Sequence, residues 1–563
     1  MQKEDDSPVN APSVFPLHDL ADLDASIARA VEGLFAYQGQ NGAFAPSDTR
    51  YSPAHSALAL IALHLTSPED ADGLITRGIA QLCRTQRFDG GWSPHRFGSE
   101  PLATALAVDA LRLIAPERAA SAIEAARILI DRIGHAQEHA DAAPAGGYER
   151  LLFSPTAALR QDVALRLPLS PGRARRQLSL QWPAVASLTL RGRRQESAGD
   201  PVGRAVRART RASALSLIRQ LYEHEGGTGG FAADPMLTGY ICIGLGLSGL
   251  GPDIARAAAA WLKAAGGESG QWAQAPLHVR WTSLAGSALA EAGLASDTRL
   301  AGTAHVLARA QHQADFAPLG VPAGGWSASG GPGWATTLDT AEAVSALAAL
   351  TATDRTAVIR EGVRWLTDQQ DAAGSWSYAV RDTLPGAYGP CAHLTATAVR
   401  ALIDAGTPAD DKHVKKALHW LARRQDASGY FTAMWFRGHT IATAAVVETY
   451  CRIGDGEHAV AARARDWLLR TQRRDGSWSA GQSVGVSSVE ETASALRALV
   501  ATGLTGYAPP VARAVGWLIA RQRTNGTWPG EPVNEHVRLQ HRYADDLVAT
   551  ALALRALSAV RGR

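Results

Sequence analysis

Ionisable side chains recur at one kind of place in this sequence, the start of a strongly apolar run. Asp339 opens DTAEAVSALAAL, Cys391 and His393 lead into ATAVRALIDAG, and His439 precedes a similar stretch. Glu490 and Glu491 lead into TASALRALVATG, while Tyr543, Asp545 and Asp546 precede ATALALRALSAV. A carboxyl held in an apolar pocket keeps its proton at neutral pH, because desolvation penalises the anion, and it then serves as a general acid. Plainer roles fit the same residues. Asp339 before Thr340 can cap a helix, Glu491 suits the positive end of a helix dipole, and His393 can be a hydrogen-bonded core residue. Cys391 and His393 with Asp339 would offer zinc ligands, but no neighbouring motif supports that set, and no metal site is expected. No phosphate-cradling Gly loop, Ser-His-Asp order or dinucleotide fingerprint occurs in a strand–helix context.

The elements that must position these residues come from a repeat. WLTDQQDAAGSW (Trp365 to Trp376), WLARRQDASGYF (Trp420 to Phe431), WLLRTQRRDGSW (Trp467 to Trp478) and WLIARQRTNGTW (Trp517 to Trp528) share one plan. Each is a helix end, a Gln, a polar turn with Gly, and a closing aromatic. LCRTQRFDGGW, ending at Trp92, and YQGQNGAF, ending at Phe44, are weaker copies. The helix-borne tryptophans step by 55, 47 and 50 residues, enough for a two-helix unit. In the last copy Val511, Val515, Leu518 and Ile519 form one apolar stripe, so that helix is amphipathic. The run after each closing aromatic is apolar nearly all round and must be buried. Alternating outer amphipathic and inner buried helices predict an all-α fold of two α/α barrels. An open solenoid has the same period, but the inner helices are rich in small residues, which favours close packing and closure. The helix starts are expected around one mouth of an apolar, Trp-rimmed pocket.

The bulk composition agrees. The chain has 563 residues, 46% of them apolar and only 19% charged, with a net charge of +3 that argues against a nucleic-acid partner. Four dispersed cysteines, Cys83, Cys242, Cys391 and Cys451, are read as reduced thiols of a cytoplasmic protein. Residues 1–20 contain no apolar signal-peptide core, and no apolar run is long enough to span a membrane. Arg160 to Arg211 carries twelve arginines against three acidic residues, with apolar residues interleaved. Such an insert can lie on an anionic membrane surface or be a solvated loop.

The Gln-to-Trp phrases resemble those of squalene–hopene cyclases and the shorter bacterial class II diterpene cyclases, over about Asp24 to Arg561. Two further stretches are more specific. GGESGQWAQAPLHVRWTSLAGSAL resembles the segment that sets a tryptophan, here Trp281, beside the cavity, and Gly324 to Val344 resembles the segment bearing the acid motif Asp-x-Asp-Asp-Thr-Ala. In that family the middle aspartic acid protonates an alkene or epoxide, and aromatic faces stabilise the cations that follow. Here the motif reads Thr336-Thr337-Leu338-Asp339-Thr340-Ala341, so the donor position holds Leu338 and only the last aspartate remains. The donor's supporting histidine aligns with Thr397, and Ala328 stands where the pattern has phenylalanine.

The resemblance implies protonation-driven cyclisation or rearrangement of a linear isoprenoid by a non-standard acid, sought among Asp339, Glu490, Glu491, Asp545 and Asp546. It implies a substrate lining of Trp281, Trp326, Trp334, Leu338, His393, Trp435, Phe436 and Tyr543. No cofactor is expected, Mg2+ entering only with a diphosphate substrate. The chain being shorter than squalene cyclases, a prenyl diphosphate or a derivative is preferred to squalene. A non-catalytic isoprenoid- or lipid-binding protein and non-terpenoid cyclisation on the same fold are the alternatives. The N-terminal barrel is expected over Ala25 to Asp297, and the second over Thr298 to Arg563 with the first two dozen residues packed back on it.

Overall fold

In the C-terminal half the repeated phrase becomes a hydrogen-bonded clamp. Its Gln carboxamide donates to the carbonyl of the turn glycine and to a carbonyl in the first turn of the next outer helix. Gln370 reaches Gly374 and His413, both at 2.9 Å, Gln425 reaches Gly429 and Val460, and Gln472 reaches Gly476 and Pro510. The closing indole donates back to the helix just ended: Trp376 to Leu366 O, Trp478 to Leu468 O and Trp528 to Leu518 O, at 2.7–2.9 Å. All three tryptophans are fully buried. Gly526 shows why the turn needs glycine: its φ is +82°, and a Cβ would stand 1.9 Å from the Arg29 carbonyl oxygen.

This computed structural model describes residues 20–46, 51–132, 182–188, 190, 201–331, 333–351, 354–384, 388–479, 486–505, 508–537 and 541–562. Its first helices are α1 (Leu20–Phe35), α2 (Pro53–Thr66), α3 (Pro68–Thr85), α4 (Pro101–Ile114), α5 (Ala120–Ala125), α6 (Trp182–Leu188), α7 (Pro201–His224), α8 (Pro235–Ser248) and α9 (Pro252–Gly266). Then come α10 (His278–Leu289), α11 (Arg299–Arg309), α12 (Thr337–Ala349), α13 (Thr356–Asp368), α14 (Ala392–Asp404), α15 (Lys412–Ala422), α16 (Thr440–Arg452), α17 (Ala459–Thr471), α18 (Val489–Ala501) and α19 (Pro509–Ile519). A hairpin of β1 (Asn534–Val537) and β2 (His541–Tyr543) precedes α20 (Asp546–Arg561).

Helices α10, α12, α14, α16, α18 and α20 pack in sequence, and α20 packs on α10, so they close a ring. The outer layer is α11, α13, α15, α17, α19 and, last, α1. The final clamp explains that last place: Gln522 donates to Gly526 O and, at 2.9 Å, to Ser26 O in α1, while Phe44 N donates to Thr282 Oγ1 in α10. The boundary expected at Asp297 therefore separates α10 from the ring it completes, and the one expected after Asp24 cuts through α1. The helix pairs after residue 298 provide only five inner helices, and the sixth inner and outer positions come from upstream. In the N-terminal half α4, α2, α8 and α6 pack side by side in that order, with α3, α9 and α7 against them. Most of the Arg-rich stretch and residues 1–19 lie outside the described residues. No helix among those described is long and apolar enough to cross a membrane.

Candidate active site

The clamps also fix which face of each inner helix looks into the ring. The backbone N–H of each closing aromatic donates to a threonine near the start of the inner helix: Thr282, Thr340, Thr395, Thr443, Thr492 and Thr550, at 2.9–3.3 Å. With that threonine held outward, positions two, five and nine residues further on turn toward the axis. They line a cavity of about 540 Å³ along the ring.

The lumen is layered by this register. Two residues before the threonine stand Arg280, Leu338, His393, Ile441, Glu490 and Val548; Arg280, His393, Ile441 and Val548 line the cavity directly. Two residues after it come Leu284, Glu342, Thr397, Ala445, Ser494 and Leu552. Five after come Ser287, Ser345, Arg400, Glu448, Arg497 and Arg555, and nine after come Glu291, Ala349, Asp404, Arg452, Ala501 and Ala559. The expected apolar, Trp-rimmed pocket is thus corrected: the helix-start end mixes Phe436 and aliphatic residues with Arg280, His393 and Glu342, and the helix-finish end is charged. The cavity opens at the finish end, where Gly562 is exposed, while the hairpin lies over the start end. There Arg437 N donates to Val533 O and Glu535 N to Trp435 O, both at 2.9 Å.

At the start end Asp339 and Glu342 carry no ion pair among the described residues. Asp339 is buried in the first turn of α12, and Thr336 Oγ1 donates to its Oδ2 while accepting from its backbone N–H, so the cap is Thr336 and not Asp339 as expected. Burial pushes its carboxyl up to about 7, with Glu342 adding to the rise and Thr336 and Arg280 opposing it. Glu342, four residues after Leu338, lies one turn deeper on the same side of α12 and lines the lumen. Its Oε2 is buried without a hydrogen-bond partner among the described residues. Burial raises it too, against Arg280, Arg555 and Arg400. Arg280 is buried, 5.5 Å above the Phe436 ring, and feels Glu342 more strongly than Asp339. His393 packs edge-on against Phe436 at 4.9 Å and is driven down to about 3 by burial, Arg400 and Arg280, which leaves it neutral.

At the finish end three guanidiniums share two carboxylates. Arg400 and Arg497 both bond Glu448, and Arg497 and Arg555 both bond Glu291. Burial works against the Glu291 anion, but Arg497 and Arg555 outweigh it and hold the carboxyl down at about 2. Glu291 lies in a π-helical turn, Ala290–Leu294, that ends α10 and carries the carboxylate into the ring.

The other expected site residues are dispersed. Glu490 is buried with one oxygen taking the Glu531 N–H at 3.1 Å and the other unpartnered, and burial raises it well above the glutamate range. Glu491 is bound by Ser488 Oγ at 2.7 Å and Arg437 at 2.8 Å, a capping and ion-pair role. Asp545 caps α20 and accepts the Trp281 indole N–H at 2.7 Å. Asp546 faces outward, bonded to Arg523 and to Gly530 N. Trp326 is a clamp residue donating to Leu307 O at 2.6 Å. Trp334 packs on Phe316, which packs on His224 of the N-terminal half. Trp435 stacks between Tyr378 and Tyr388, and Tyr543 couples electrostatically to Arg280, Asp545 and Asp339. Of the expected lining, only His393 and Phe436 border the cavity described. Arg280, Glu342, Glu291 and the arginines were missed. Their signal was a charged residue interrupting an apolar inner helix, at a constant step from its threonine in Arg400, Glu448, Arg497 and Arg555.

The model of the squalene-hopene cyclase C-terminal domain matches twice in tandem, over residues 321–444 and 438–561. The structure is similar to ent-copalyl diphosphate synthase from Streptomyces platensis, at 19% identity over 96% of this chain and 99% of that one, with a TM-score of 0.52. A protein from Actinoplanes (21% identity, TM-score 0.39, 50% of this chain and 90% of that one) is a more distant likeness. So is the type II terpene cyclase MstE from Scytonema (17% identity, TM-score 0.40, 50% and 88%). No curated protein matches the chain. The clamps and the closed ring accompany a tandem match to the squalene-hopene cyclase C-terminal domain over the last part of the chain, and the fold as a whole is that of a class II terpene cyclase.

Proposed function

We propose that the chain cyclises or rearranges a linear isoprenoid by protonation, and that the acid is the Glu342–Asp339 pair. The observation that carries this reading is a carboxyl, Glu342, lining the lumen with an unpartnered buried oxygen one turn below Leu338. A neutral acid there can give its proton to an alkene of the substrate, leaving a tertiary carbocation on the adjacent carbon. A neighbouring alkene attacks that cation to close a ring, and the last cation loses a proton. Phe436, which lines the same lumen, offers a π-face to a cation. Neutral His393, which lines the same lumen, is the base proposed for the final proton.

The finish end suits an anionic head group. Three guanidiniums on two carboxylates leave positive charge at the open mouth. A cavity of about 540 Å³ lies within the range of about 300–1,000 Å³ usual for small-molecule sites. The substrate class proposed is thus an isoprenoid with a phosphate or carboxylate head at the arginines and its tail toward Glu342. A second reading, a non-catalytic isoprenoid binder, draws support from Leu338 at the donor position and from Glu291 and Glu448, carboxylates able to trap a cation. Incubation with linear prenyl diphosphates of several lengths, followed by mass spectrometry for isomers, separates the two. Isomers that vanish with Glu342→Gln support the cyclase, whereas saturable binding without any isomer supports the binder.

A further inference from the structure

At the seam between the two halves, side chains from three distant stretches converge. His55 lies in the first turn of α2, and Asp234 caps α8, the inner helix packed beside it. His536 lies on β1 of the hairpin. His55 Nε2 is 3.4 Å from Asp234 Oδ1, and His536 Nε2 is 3.8 Å from Asp234 Oδ2. The three ligand atoms all lie within 4.8 Å of one another. His55 is fully buried, and Ser52 Oγ holds its Nδ1 at 2.7 Å, which fixes the ring and aims Nε2 at Asp234. That Nε2 has no hydrogen-bond partner among the described residues. His541, also fully buried, has neither ring nitrogen partnered, and its ring lies 6.0 Å from those of His55 and His536. Buried polar atoms without partners are costly, and three on two adjacent imidazoles call for a ligand.

We propose that His55, Asp234 and His536 bind a divalent first-row transition-metal ion, foremost Zn2+, which ties the C-terminal hairpin to the N-terminal helices. Two imidazoles and a carboxylate form the mixed nitrogen and oxygen set that such ions take. Ser52 stands where a group that orients a metal-bound histidine is usually found. Tetrahedral zinc with bonds of about 2.0–2.1 Å spaces its ligands about 3.3 Å apart. The 3.4 Å contact to Asp234 Oδ1 already meets that; His536 is 3.8 Å from the other oxygen, and with ligand atoms up to 4.8 Å apart its side chain must move in by up to about 1.5 Å. His541 or a water completes the shell. This site differs from the trio of Cys391, His393 and Asp339 weighed from the sequence, and an ion bound here would run against the expectation of no metal. It does not depend on the cyclase reading.

The test uses the full chain, stripped with chelator and titrated with Zn2+ alone, and with Co2+ for its visible absorption. Bound zinc is measured after dialysis, and the thermal midpoint with and without the ion. A single Zn2+ per chain, a tetrahedral Co2+ spectrum and a zinc-dependent rise in the midpoint are expected. His536→Gln, at a partly exposed hairpin position, should lower affinity at least about tenfold, and Asp234→Asn likewise. Cys391→Ser should leave binding unchanged. A wild-type chain that takes up no zinc overturns the proposal, and so does His536→Gln binding zinc as tightly as wild type.

Discussion

Glu342 and Glu291 are glutamates of one lumen, on opposite sides of its arginine layer, and their surroundings shift their carboxyls in opposite directions. Glu342 faces Arg280 across the start end without a direct ion pair, and burial raises its carboxyl. Glu291 takes direct bonds from Arg497 and Arg555 and is held at about 2. Residue type and enclosure are shared; the number of guanidinium hydrogen bonds differs. A carboxyl in this ring is therefore favoured to hold its proton where no cation is bonded to it.

The largest effect expected from breaking this contrast is at the finish end. Glu448→Ala leaves Arg400 and Arg497 without their shared carboxylate and should cost about 3–5 kcal/mol, read from denaturant unfolding. Were it neutral, the network would be solvated and the charged layer would not be a fixed feature of the ring.

Next comes the start end. Glu342→Gln keeps shape and removes the acid, so turnover should fall about a hundredfold or more, close to 2.7 kcal/mol, with the fold unchanged. Asp339→Asn should slow turnover as well while retaining an acceptor for Thr336 Oγ1, and the double variant should fall little below the stronger single one if the pair acts as a unit. Unchanged rates in both would remove the pair from the mechanism. Leu338→Asp is the converse test: an acid one turn above Glu342 should restore some activity to Glu342→Gln, read as isomer formed per hour.

A separate effect is on the pH dependence of stability. Asp339 is raised to about 7 in the fold, above its unfolded value of about 3.9. Between those values the native state binds the extra proton, so Asp339 makes stability fall as pH rises through that window and adds no slope above it. Glu291, depressed to about 2, acts oppositely: its stabilisation is complete above the unfolded value of about 4.3 and is lost as pH falls toward 2. Asp339→Asn should flatten the first limb and leave the second. Urea midpoints at a series of pH values check this, and a first limb that persists in the variant would assign it to another group.

The sequence by itself determined the helical repeat, the alternation of inner and outer helices and the clamps. These rest on local chemistry: a Gln, a Gly at positive φ such as Gly526, and an indole that reaches a carbonyl of the helix before it, as Trp376 reaches Leu366. Asp339 was also legible, because its neighbours fix it at a helix start. Tertiary structure alone decided which residues share the lumen. Ring closure brings α1 and α10 to the far end of the chain, and Arg497 and Arg555 meet Glu291 over 206 and 264 residues. His55 meets His536 in the same way, across the seam between the halves. Spacing along one helix reports only the direction in which a side chain leaves it. The group opposite depends on how the whole ring closes, and that group sets whether a buried carboxyl keeps its proton.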